Sequence, residues 1–149
     1  MRRASLWRRR SAVAQVPELC TFDYAVVRVV PRVEREEFIN AGVILSCPDQ
    51  RFLEARIDLN RARLLALDSS LDADEIERFL QVIPIICHGG AQAGPIGQLP
   101  QRSRFHWLVA PRSTIIQMSP VHTGLCAEPE AMLERLLDGT VRIINHHRT

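Results

Sequence analysis

Lysine is missing from all 149 residues, and aromatic side chains make up only 5% of them. Without lysine, any recognition of anions by a permanent cation runs through the planar arginine fork. Biased codon usage in a GC-rich genome is the plain explanation for that gap. With few aromatics, aliphatic side chains must build the core. Paired cysteine motifs are missing too: Cys20, Cys47, Cys87 and Cys126 are scattered with no C-x-x-C spacing. That excludes a disulfide-dense secreted scaffold and predicts reduced thiols, as in a cytoplasm. No glycine-rich phosphate fingerprint follows any strand-like segment, which argues against a Rossmann or P-loop nucleotide site. The one long stretch without formal charge, Phe79–Gln101, is broken by Pro84, Pro95, Pro100 and four glycines, so no membrane span is expected. The N-terminus has positive charge without the apolar core of a signal peptide, because Arg8, Arg9 and Arg10 follow directly on Leu6 and Trp7.

What is present fits one domain. Apolar residues make up 46% of the chain, enough to bury a core with no metal or disulfide staple. The charge divides by region. Five arginines against Glu18 give the first twenty residues +4, whereas the rest carries fourteen arginines and sixteen acids, a charge of −2. The basic pI therefore belongs to the leader, and a nucleic-acid partner for the body is disfavoured. The expected organisation is a leader over 1–21, a single domain over 22–139 and a loose tail over 140–149. The leader reads as disordered or as the product of an upstream start, and its Arg- and Ser-rich composition also resembles an organellar presequence.

Periodicity supplies the elements. Phe22–Val30 is β-branched on both faces apart from Arg28, as in a central strand, and Pro31 stops it. The connection 32–40 can hold a helical turn. Ala41–Cys47, the turn Pro48-Asp49-Gln50 and the alternating Phe52–Asp58 read as a hairpin. Asn60 and Asp72 are N-caps of two helices, with Leu59/Leu64 and Leu71/Ile76 as hydrophobic staples. Ile76, Phe79, Leu80, Ile83 and Cys87 form the buried stripe of the second helix, which Pro84 should kink or end and Gly89-Gly90 should terminate. A loop over 91–103, a short helix over 105–109, a β-like segment over 113–118 and a helix over 128–138 complete the chain. Strands grouped early and helices grouped later predict an α+β fold: a small, mainly antiparallel sheet of about four strands, with helices packed on one face.

Two polar stretches are candidate working surfaces. Arg112, Ser113, Ser119, His122 and Thr123 crowd together near Gly124. There an arginine fork, hydroxyls and turn amides can cradle an anion, and an imidazole can relay a proton near neutral pH. Alternatively, the same hydroxyls and prolines punctuate strand ends. Asn40, two residues before Gly42, sets a turn or bulge or reaches a ligand at the strand mouth. Arg28, on an apolar strand, needs a partner, either an acid from Glu34–Glu37 or a bound anion. Arg102, Arg104, His106 and Trp107 resemble a weak single-strand nucleic-acid pattern, with Trp107 equally suited to a core or interface anchor. The spacing His122-x-x-x-Cys126 and the pair His146-His147 lack the second pair that a zinc site needs, so no metal or other cofactor is expected. Nothing marks Cys126 as an activated nucleophile beside His122. No catalytic residue can be assigned.

The wording of two segments, YAVVRVVPRVEREEFINAGVIL (Tyr24–Leu45) and RFHWLVAPRSTIIQMSPVHTGL (Arg104–Leu125), resembles the bacterial domain-of-unknown-function family 3037 over roughly Phe22–Asp138. The resemblance implies a bacterial cytoplasmic protein and carries no catalytic role onto any residue. It implies as well a kinase-like protein partner, since members are often encoded beside kinases similar to HipA. The predicted function is accordingly a binding or accessory module for a partner protein. The alternative is a small enzyme or ligand-binding domain for a phosphorylated or carboxylated substrate.

Overall fold

Valines at 26, 27, 29 and 30 present β-branched side chains to both sides of one segment, and that segment is central. In the computed structural model, which describes residues 17–143, β1 (Cys20–Val29) pairs on one side with β2 (Ile39–Cys47), and β2 pairs in turn with β3 (Phe52–Ile57). On its other side β1 carries two short strands placed end to end, β4 (Ile116–Met118) and β5 (His122–Cys126). Every pairing is antiparallel. β1 begins two residues before Phe22, so Cys20 and Thr21 belong to the sheet. The readings of the leader over residues 1–16 and of the tail over 144–149 lie outside the described residues. Thr140 ends the last helix and Val141 is buried, so the domain runs past residue 139.

The sheet separates two cores. Ala25, Val27, Val29, Ile44 and Leu53 face α1 (Arg61–Leu67), α2 (Ala73–His88) and α4 (Gln101–Val109), whose Leu64, Leu80 and Phe105 are buried against them. Phe22, Val43, Leu45 and Cys47 face α5 (Pro129–Thr140) through Leu133 and Leu137. The helix layer expected on one face is therefore formed by α1, α2 and α4, and α5 adds a cover on the opposite face. The cause is in β1 and β2: a strand apolar on both sides needs burial on both sides.

Local chemistry sets the boundaries. Asn60 Oδ1 accepts from the Arg63 N–H, and Asp72 Oδ1 accepts from the N–H groups of Asp74 and Glu75. Of the kink or end expected at Pro84, the end does not occur, since α2 runs on to His88; it stops at Gly89, whose φ of 76° favours glycine. The segment expected as a loop over 91–103 contains a 3-10 turn at Ala91–Ala93 and the one-turn helix α3 (Gly94–Gly97), and α4 already begins at Gln101. β5 forms where the sequence carries no strand signal. Of the β-like 113–118 segment only Ile116–Met118 pairs.

Two irregularities position the polar residues. Val27 pairs with Gly42 but Arg28 with Asn40, so Ala41 is an extra residue in β2 and the bulge brings Asn40 opposite Arg28. A Cβ at Gly42 would lie 2.6 Å from the Arg56 carbonyl oxygen, so β3 can approach only a glycine there. Between β4 and β5 the register also steps by one, from Val27↔Met118 to Tyr24↔His122, across Ser119, Pro120 and Val121.

Candidate functional site

Ser119 mends the break between β4 and β5. Its N–H donates to the Val26 carbonyl at 2.9 Å, its hydroxyl accepts from the Val26 N–H at 2.8 Å, and that hydroxyl donates to the Pro120 carbonyl at 2.9 Å. The Val26 N–H takes this hydroxyl in place of a ladder carbonyl, so without it that buried donor has no acceptor. Ser119→Ala should therefore cost about 1–3 kcal/mol, read as a lower urea midpoint at unchanged m-value. A midpoint shift below the noise of replicate titrations would show that the hydroxyl is not needed.

Thr123 also belongs to a structural network. Its hydroxyl donates to Asp23 Oδ1 at 2.6 Å, while Arg102 spans Asp23 Oδ2 at 2.5 Å and Ser46 Oγ at 2.9 Å. Burial pushes the Asp23 carboxyl up, but the Thr123 hydroxyl and the Arg102 guanidinium outweigh it and hold the carboxyl below its usual range. A folded-state value below the unfolded one contributes stability that is present above about pH 4 and is lost as pH falls through the lowered value. The stability difference between pH 7 and pH 3 should thus shrink in Asp23→Asn, as measured by denaturant titration at both pH values. An unchanged difference would detach Asp23 from the acid response.

Arg28, Asn40 and His122 lie on the α5 side of the sheet, as does the side chain of Tyr24. The Arg28 guanidinium stacks on the Phe38 ring at 4.2 Å from its centroid, and no acid among Glu34–Glu37 pairs with it: Arg35 takes Glu37, and Arg32 takes Asp68. Asn40 Nδ2 donates to the Thr140 carbonyl at 2.9 Å. Arg28 Nε and Asn40 Oδ1 are both buried without a hydrogen-bond partner, a donor and an acceptor on directly opposed residues. The His122 ring rests on Tyr24, with centroids 5.2 Å apart. Tyr24 stands four residues along β1 from Arg28, about 13 Å at the rise of a strand, so His122 is out of reach of a group held by Arg28.

Arg112 is elsewhere. Its guanidinium lies over the Trp107 ring at 4.1 Å and donates to the Trp107 carbonyl at 2.7 Å, on the α4 side of the sheet. Ser113 is exposed in the turn before β4. The fold therefore brings Arg28 and Asn40 together and keeps Arg112 away from them, so no single anion meets both arginines. The Arg102–Trp107 stretch is dispersed as well. Arg102 is held by Asp23 and Ser46, and Arg104 donates to the carbonyls of Ile86, Cys87 and Leu99.

A feature not read from the sequence adjoins Arg112. A groove of about 140 Å³ opens between α2, α4 and β4, floored by Ile83, Leu108, Ile116 and Met118 and rimmed by Phe79, Val82, Trp107 and Arg112. Phe79, Val82 and Ile85 on α2 and Trp107 on α4 are each 38–48% exposed. Helical spacing puts Phe79 in the buried stripe, but Ile76, Leu80, Ile83 and Cys87 fill that face, leaving Phe79 on the rim. The signal was present in the sequence: from Phe79 to Cys87 α2 is apolar nearly all round, more than one buried face can absorb.

These features define a class: a three-layer α+β domain with an antiparallel sheet, a half-open apolar groove on one side and an arginine–asparagine pair on the other. The chain belongs to the protein family of unknown function DUF3037, whose model matches residues 24–141. No curated protein and no solved structure matches it. Among the described residues no helix is long and apolar enough to cross a membrane, and no three His, Cys, Asp or Glu side chains are grouped to hold a metal ion.

Proposed function

We propose that this protein is a binding module for a partner protein, and that the groove between α2, α4 and β4 is the contact. The observation that carries the reading is the exposure of Phe79, Val82 and Trp107 around an apolar floor. Contiguous apolar surface of this kind costs free energy while it faces water, and covering it lowers the free energy by about 25 cal/mol per Å². The occupant that fits is a segment with one apolar anchor followed by an acidic residue. The anchor fills the groove, and the carboxylate meets the outer edge of the Arg112 fork, which Trp107 already orients. A kinase similar to HipA is the partner to test first, and work in a cytoplasm, with the four cysteines free, is part of the reading.

The test is titration calorimetry with a purified kinase of that type from the same organism. Val82→Asp and Arg112→Glu should each weaken binding at least tenfold, about 1.4 kcal/mol, while His122→Ala should leave it unchanged. The two α2 and rim positions are exposed, so the variants remain folded. No binding by the wild-type protein, or equal binding by Val82→Asp, would overturn the reading.

A second reading rests on the opposed orphan atoms of Arg28 and Asn40. A carboxylated or phosphorylated small molecule that both accepts and donates hydrogen bonds would satisfy Arg28 Nε and Asn40 Oδ1 together. Glycolate and inorganic phosphate titrated against the Arg28 Nε–H resonance test it, and a resonance that moves with neither ligand would remove it.

A further inference from the structure

Three of the four cysteines, far apart in the sequence, meet at one end of the sheet. Cys20 and Cys126 are directly opposed across β1 and β5. Cys47 ends β2 on the same face and lies in the same core as both. Cys47 and Cys126 are buried, whereas Cys20 is half-buried and reachable. The Cys20 sulfur also accepts an N–H from the Gln50 amide at 3.4 Å, and the same amide donates to the Ala127 carbonyl next to Cys126. Neither the binding groove nor the Arg28–Asn40 pair uses this cluster.

Geometry chooses among the three thiols. Opposed residues of an antiparallel pair have Cα atoms about 4.5–5.5 Å apart, inside the window of about 4.4–6.8 Å that a disulfide spans. Cys47 has no such opposed cysteine: its neighbour in the hairpin ladder is Phe52. Exposure chooses the order of events. Burial raises the Cys47 and Cys126 thiols above their ordinary value, so both stay protonated near neutral pH. Cys20, at the open end of the sheet with a donor on its sulfur, is the thiol that meets a solute first.

We propose that Cys20 and Cys126 form a peroxide-responsive thiol pair that closes into a disulfide across β1 and β5. The Cys20 thiolate attacks one oxygen of a hydroperoxide; the S–O bond forms, the O–O bond breaks, and the departing hydroxide takes up the thiol proton as water. The Cys126 sulfur then attacks the Cys20 sulfenic acid, forming the S–S bond and breaking S–O, and its proton leaves with the hydroxide as a second water. With hydrogen peroxide, two thiols and one peroxide give one disulfide and two waters. Cys87 takes no part, since it lies in the other core and burial pushes its thiol up to about 12.

The experiment treats the full chain with stoichiometric hydrogen peroxide, blocks remaining thiols with iodoacetamide and maps peptides by mass spectrometry without reduction. The expected product is an intramolecular Cys20–Cys126 peptide lacking two hydrogens, reversed by dithiothreitol, lost in Cys20→Ser and retained in Cys87→Ser. Because the map is read first on the wild-type protein, it does not depend on how a buried-cysteine variant folds. A Cys20–Cys47 bond, a linkage between two chains, or Cys20 oxidised only to sulfinic acid would each overturn the proposal.

Discussion

Phe105→Ala is expected to lower the free energy of unfolding by about 3–5 kcal/mol, the largest effect of any single change considered for this domain. Phe105 is only 1% exposed and stands among the bulkiest fully buried side chains, wedged between α4 and the sheet in the core that also holds Leu80 and Leu108. Truncation removes most of an aromatic ring from an interior as dense as an organic crystal, and the surrounding aliphatic groups can close only part of the void. The Arg102 guanidinium also loses the ring beneath it, at 5.0 Å from the centroid, and with it part of the restraint on the Asp23 network. Small domains have a total stability of about 5–15 kcal/mol, so the variant should sit near its unfolding midpoint at modest urea concentration. A loss below about 1 kcal/mol, outside the range for a buried Phe, would mean that α4 does not pack as described.

Leu133→Ala should cost about 2–5 kcal/mol through the other core. Leu133 is fully buried and, with Leu137, joins α5 to Val43, Leu45 and Cys47. Ion pairs around α5 do not substitute for it. Arg56 reaches Glu130 and Glu134, and Arg142 reaches Asp58, Glu134 and Asp138, but all these groups are substantially exposed, where such pairs contribute only about 0–1 kcal/mol each. Because the sheet separates Leu133 from Phe105 and the two share no core neighbour, the double variant should equal the sum within about 0.3–0.5 kcal/mol. Strong non-additivity in chemical denaturation would show that the two cores are one.

The two cores explain why some elements could be read in advance and others not. α1, α2 and α5 carry strong local signals: a side-chain cap or a proline at the first turn, and an apolar stripe at helical spacing. β5 has none. His122, Thr123 and Gly124 look like loop residues, and they pair only because the polar edge of β1 offers Asp23 to Thr123 and the Tyr24 ring to His122. Gly124 is required there, since a Cβ would meet the Phe22 ring at 2.8 Å. Pro84 should kink or end α2; the helix does not end there, because packing of Leu80, Ile83 and Cys87 on both sides of it carries the helix through to His88.

The candidate residues divide the same way. Ser119 and Thr123 lie among polar groups because strand ends need hydrogen-bond partners, and the chain closes those bonds internally. Arg28 and Asn40 meet only through the Ala41 bulge: the Asn40–Gly42 spacing announces a turn or bulge, but the residue it brings opposite Asn40 is set by cross-strand register.

By itself, the order of residues determined the central β-branched strand, the hairpin after it, the capped helices and the α+β class, because propensity, capping and periodicity act over a few neighbouring positions. Only the tertiary structure decided which apolar side chains stayed uncovered, which arginines kept a free edge and which thiols faced one another. Those outcomes depend on burial and on cross-strand register between residues up to about a hundred positions apart, and no local free-energy preference acts over that separation.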